Sequence, residues 1–104
     1  MQAVLNRVEN SNLNVVDGLV SLIEKLEYAD NRVKSEIENK IVEMGAGAVK
    51  FLVEALPSLT GVQRGVATMS LIRIGEASVE PLKRLAIKNP ELAWVANYLI
   101  FEIV

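Results

Sequence analysis

The chain has 104 residues, of which 51% are hydrophobic and 23% charged, with a formal net charge of −2. That is the size of one domain with a core, and the composition excludes a disordered tail. Neither Cys nor His is present, which removes disulfides, thiolate metal sites, cysteine nucleophiles and the commonest general base, while the small net charge offers nucleic acid no global field.

Residues 1–12 are polar, contain no apolar run of signal-peptide length, and are expected to form an irregular N-terminal cap with a helix near 2–9. Leu19, Leu22, Ile23 and Leu26 then follow the spacing of a single apolar helical stripe, predicting a helix over 13–27. Asp30 caps the next helix, 31–44, whose apolar side is Val33, Ile37, Ile41 and Met44, and Gly45 stands where a left-handed C-terminal cap is wanted. Val49, Leu52, Val53 and Leu56 repeat the first stripe in a helix over 48–56 that Pro57 ends. Thr60 to Gln63 has capping-box spacing and opens a helix over 61–74, closed by Gly75. Ser78 is the expected cap of 78–87, which places Pro81 in a first turn where its missing N–H costs nothing. Asn89-Pro90-Glu91 starts the last helix, 90–103. Leu92–Val104 is the longest apolar stretch, but it is interrupted by Asn97 and Glu102 and falls short of the about twenty residues a bilayer span needs. The expected setting is soluble and cytoplasmic, with no membrane partner.

The chain matches itself at an offset of thirty. Leu19, Val49 and Val79 form one column, Leu22, Leu52 and Leu82 another, and Leu26, Leu56 and Ala86 a third. In the other half of each unit Ile41, Leu71 and Phe101 align, as do Met44, Ile74 and Val104, while Gly45 falls on Gly75. Each unit is therefore expected to be two antiparallel helices.

A two-helix unit of this length with an apolar-x-apolar-Gly corner resembles the HEAT-like repeat, in the short bacterial variety also found in phycobilin lyases. Leu71-Ile72-Arg73-Ile74-Gly75 followed by Val79-Glu80-Pro81-Leu82-Lys83 carries the likeness, and Asn89-Pro90-Glu91-Leu92 is similar to the family's Asp-Pro-Glu-Val opening. The likeness covers about residues 13–104. Ala93-Trp94 replaces the Arg usual after that opening, and Ile41-Val42-Glu43-Met44-Gly45 replaces the usual Leu-Gly-x-Ile-Gly. The resemblance implies an all-α, antiparallel helix-pair solenoid (HEAT-like or armadillo-like) of about three repeats, one domain over residues 1–104.

No constellation points to catalysis. Glu36, Glu38 and Glu43 share one helix, but residues two apart do not share a face. No base stands ready for Ser11, Ser21, Ser35, Ser58, Ser70 or Ser78, and Gly45-Ala46-Gly47 lacks a lysine at phosphate-loop spacing. The chain is read as a non-enzyme holding neither cofactor nor metal. Arg73, Lys83, Arg84 and Lys88 make a small basic patch, but Glu76, Glu80 and Glu91 flank it, and phosphate binding needs many basic contacts together. Lys50, Glu54, Glu80 and Arg84 form a square of alternating charge if the repeats stack, read as a surface ladder.

The strongest signal is at the C-terminus. Residues 31–44 carry six charges, whereas nothing from Leu92 to Phe101 is charged. A helix apolar on all sides must be covered on all sides, and the domain core can cover one. Trp94, Val95, Tyr98, Ile100 and Phe101 are therefore the expected contact residues of a homodimer. The function that follows is a non-catalytic scaffold or adaptor presenting a rigid helical surface to another protein. The alternatives are a subunit or fragment of a HEAT-like lyase or modifying enzyme, or a weak nucleic-acid binder using the basic patch.

Overall fold

Six α-helices joined by tight turns account for residues 15–104, the part of the chain that this computed structural model describes. Helix α1 covers 15–25; α2 is Asn31–Met44, α3 Ala46–Ala55, α4 Gly61–Ile74, α5 Val79–Lys88 and α6 Ala93–Ile103. Single 3₁₀ turns, Leu26–Tyr28, Leu56–Ser58, Glu76–Ser78 and Pro90–Leu92, sit between them. Among the described residues there is no strand, and the fold is all-α. The expected N-terminal cap and helix at 2–9 lie outside the described residues.

The local signals act in different ways. Asp30 caps α2 as its spacing predicts, its Oδ1 accepting from the Val33 N–H at 2.9 Å. Gly45 and Gly75 both take positive φ, but with ψ of −141° and −133°. This is the mirror of extended backbone, not the left-handed helical cap that was expected. Gly45 alone turns the chain, so α3 starts at Ala46, two residues before the expected boundary. Thr60 makes no side-chain cap, and the reciprocal half of the capping box is also missing, since the Gln63 side chain donates instead to the Ile23 carbonyl at 3.1 Å. Ser78 does not cap α5 either. It is fully buried, and its hydroxyl donates to the Leu71 carbonyl at 2.9 Å, a second donor there beside the Gly75 N–H at 3.0 Å. Asn89 turns its amide to Glu91 at 3.3 Å, and α6 begins only after the 3₁₀ turn Pro90–Leu92.

The helices pack in two layers. In one, α2 lies against α4 and α4 against α6; in the other, α3 lies against α5, and α5 also packs on α6. Residues of α2 and α4, of α4 and α6, and of α3 and α5 line common grooves.

The core lies between the layers. Leu22, Leu52 and Leu82 are buried, as are Leu19, Val49 and Val79; of the third column Leu26 and Leu56 are buried and Ala86 only partly so. In the other half Ile41 and Leu71 are fully buried but Phe101 is 78% exposed. Helix α6 fills its share of the core with Leu92, Val95, Ala96 and Leu99 instead. It is rolled by about one residue relative to α4. A 3₁₀ turn advances about 120° per residue where an α-helix advances about 100°, so Pro90–Leu92 runs the phase ahead and brings earlier residues inward.

Candidate interaction surface

The roll of α6 sets its outer face. Trp94, Tyr98 and Phe101 stand at i, i+4 and i+7, which places them in one stripe, and they are 72%, 57% and 78% exposed. Val104 continues the apolar surface at 85% exposure. Two of the expected contact residues are elsewhere. Val95 is 8% exposed and belongs to the core, and Ile100 is half-buried against that core. Both sit on the inward side because the helix is rolled, so a charge at Ile100 would disturb folding as well as association.

Beside the stripe runs a groove between α4 and α6 with a cavity volume of about 300 Å³. Trp94 and Tyr98 form one wall, and Gly61, Gly65 and Thr68 form the other. The Thr68 hydroxyl is turned back onto the Gly65 carbonyl at 2.9 Å. Arg64 carries its guanidinium to the Leu56 carbonyl at 3.3 Å, toward the end of α3. Gly65 also borders a second, shallower groove toward α2, in company with the half-exposed Val62 and Met69. Apolar surface therefore continues from α6 onto α4 and gives way to Lys34 and Glu38 at α2.

The charged residues are arranged differently from their spacing in sequence. Lys50, Glu54 and Arg84 line a common groove between α3 and α5, with a cavity volume of about 580 Å³. Glu80 pairs instead with Lys83 at 3.1 Å, one helical turn along its own helix. Among the described residues no ion pair joins the four members of the square. Glu54→Lys should accordingly change stability by no more than about 1 kcal/mol, and added salt should shrink the difference. Urea unfolding of both chains at low and high salt measures this, and a loss well beyond that limit would contradict a solvated role.

Arg73 is tied into the other layer. Its Nη1 donates to Glu38 Oε2 at 2.8 Å and to Asn39 Oδ1 at 2.9 Å, clamping α4 to α2. It therefore does not join Lys83, Arg84 and Lys88 on α5. Of the helix carboxylates, Glu36 receives Arg32 and Glu38 receives Arg73. Among the described residues no group of three or more acids stands together as a metal site, and no helix is long and apolar enough to cross a membrane. The clamp at Arg73, the Gln63 bond and the Ser78 bond went unread in the sequence, because each joins groups that only the fold brings together.

No protein-family model matches the chain, and neither a curated protein nor a solved structure is significantly similar to it.

Proposed function

We propose that this protein is a non-catalytic interaction module, built as a helix-pair solenoid resembling HEAT-like repeats, and that its α6 face takes a second copy of the chain. The observation that carries the reading is the outward stripe of Trp94, Tyr98 and Phe101. Exposed aromatic residues in one contiguous apolar patch mark contact surfaces. At roughly 150–250 Å² per aromatic side chain, the three rings leave about 400 Å² of each copy open to solvent. The solenoid form is supported by the two layers, in which α2 packs on α4, α4 on α6 and α3 on α5, each on the next helix but one along the chain. A two-fold pair is the commonest closed arrangement of one surface with itself. The basic-patch alternative has less support, because Arg73 is spent on Glu38 and Lys83 on Glu80.

Size exclusion with light scattering tests this. The unmodified chain should run as a dimer at high micromolar concentration. Phe101→Glu should run as a folded monomer, because a buried unpaired charge is costly at the seam and harmless in water. A wild-type monomer at that concentration would overturn the homodimer.

A further inference from the structure

Lys50, Arg84 and Lys88 line the groove of about 580 Å³ between α3 and α5, and Glu54 is the one carboxylate among them. Three cations against one anion leave two positive charges in excess, in a chain whose net charge is −2. The other grooves differ. The one between α2 and α4 balances Lys34 with Glu38, and the one between α4 and α6 has only Arg64, whose guanidinium is given to the Leu56 carbonyl. Among the described residues none of Lys50, Arg84 and Lys88 is in an ion pair, although Glu54 stands one turn from Lys50 along α3 and shares the groove with Arg84. Glu80 and Glu91, which flank Arg84 and Lys88 in sequence, are turned to Lys83 and to the Asn89 amide. All three cations are exposed, and Val53 and Leu85 make the lining between them apolar.

We infer that this groove binds an acidic peptide segment of another protein, laid along it in extended form with its carboxylates on Lys50, Arg84 and Lys88. The surface is separate from the α6 stripe, and the inference does not rest on the homodimer. Charge complementarity names the occupant, because a groove with unspent positive charge favours an anionic partner and rejects a basic one. Spacing fits as well. Arg84 and Lys88 stand one helical turn apart, which sets their side chains about 6 Å from each other. An extended chain presents every second side chain on one face, about 7 Å apart, so carboxylates two residues apart meet the two cations together. Nucleic acid fits less well. Its unbroken row of phosphates would meet Glu54, whereas a peptide can set an uncharged residue there, and three cations supply few of the contacts on which phosphate binding draws. The apolar lining at Val53 and Leu85 also suits a peptide better than a phosphate chain.

Titration calorimetry at low salt tests this with three probes: a seven-residue peptide of alternating Asp and Ala, the same peptide with Lys in place of Asp, and an oligothymidylate of ten nucleotides. The acidic peptide should bind and weaken as salt is added, while the basic peptide should not bind. Reversing both cations of α5, Arg84→Glu with Lys88→Glu, should weaken binding of the acidic peptide at least tenfold. Glu54→Gln should tighten it about two- to threefold, since it removes the one opposing charge. The altered positions are exposed, so each variant should keep a thermal midpoint close to that of wild type. Phe101→Glu, which alters only the α6 stripe, should bind the peptide as wild type does, whatever its oligomeric state. No binding of the acidic peptide at millimolar concentration, wild-type affinity in the double variant, weaker binding by Glu54→Gln, or an oligothymidylate that binds more tightly than the peptide would each overturn the inference.

Discussion

Leu52→Ala should lower the stability of the chain by about 2–5 kcal/mol, read as a drop in the urea midpoint with an unchanged slope. Leu52 is fully buried, and it lies in the column of Leu22 and Leu82 at the centre of the α1/α3/α5 half. Truncating it removes favourable transfer of the side chain and leaves a cavity, which a close-packed interior closes only in part. Leu82→Ala, also fully buried, should cost a comparable amount. If the Leu52 variant unfolded at the wild-type midpoint, the column would not be the centre of the core.

Gly75→Ala should destabilise by about 1–3 kcal/mol although it removes no contact. With φ of 86° and ψ of −133°, Gly75 occupies a region that a Cβ makes strained. Open space around the position means that the cost lies in the backbone alone. Gly65→Ala should move the other way, gaining about 0.4–1 kcal/mol in the monomer, because its backbone is ordinary helix. Chemical denaturation of both variants at a concentration where no dimer forms separates the two effects. Opposite signs from one substitution type would follow from φ alone. A stabilised Gly75→Ala would show that the chain can turn between α4 and α5 by another route.

The bounds of α2 and α4 were legible because their signals are local. Asp30 makes its cap within one turn, and Gly45 and Gly75 stop their helices by backbone freedom. Val49, Leu52 and Val53 lie inward for the same reason, since helical spacing sorts them without reference to the rest of the chain. The site was legible in part. An uncharged last helix pointed to α6, and Trp94, Tyr98 and Phe101 do stand outward. Which of its residues face the core was not legible. That depends on the phase at which α6 leaves the 3₁₀ turn, so Val95 and Ile100 were assigned to the wrong side. The capping box at Thr60 loses its Gln63 half, and Ser78 fails to cap, because those two side chains find partners elsewhere. Gln63 finds a carbonyl forty residues away, and Ser78 finds one seven residues back across the Gly75 corner.

The lateral packing of the helices bears on how the chain assembles. The lateral packings between α2 and α4, α3 and α5, and α4 and α6 each join a helix to the next but one along the chain. To form any of them the chain closes a loop of one helix pair, and loop-closure entropy of that length is paid in the same modest step each time. None of these three packings has to wait for more distant parts of the chain to meet. Assembly can begin at whichever pair of neighbours docks first and spread outward, in the fast regime of chains whose contacts are near in sequence.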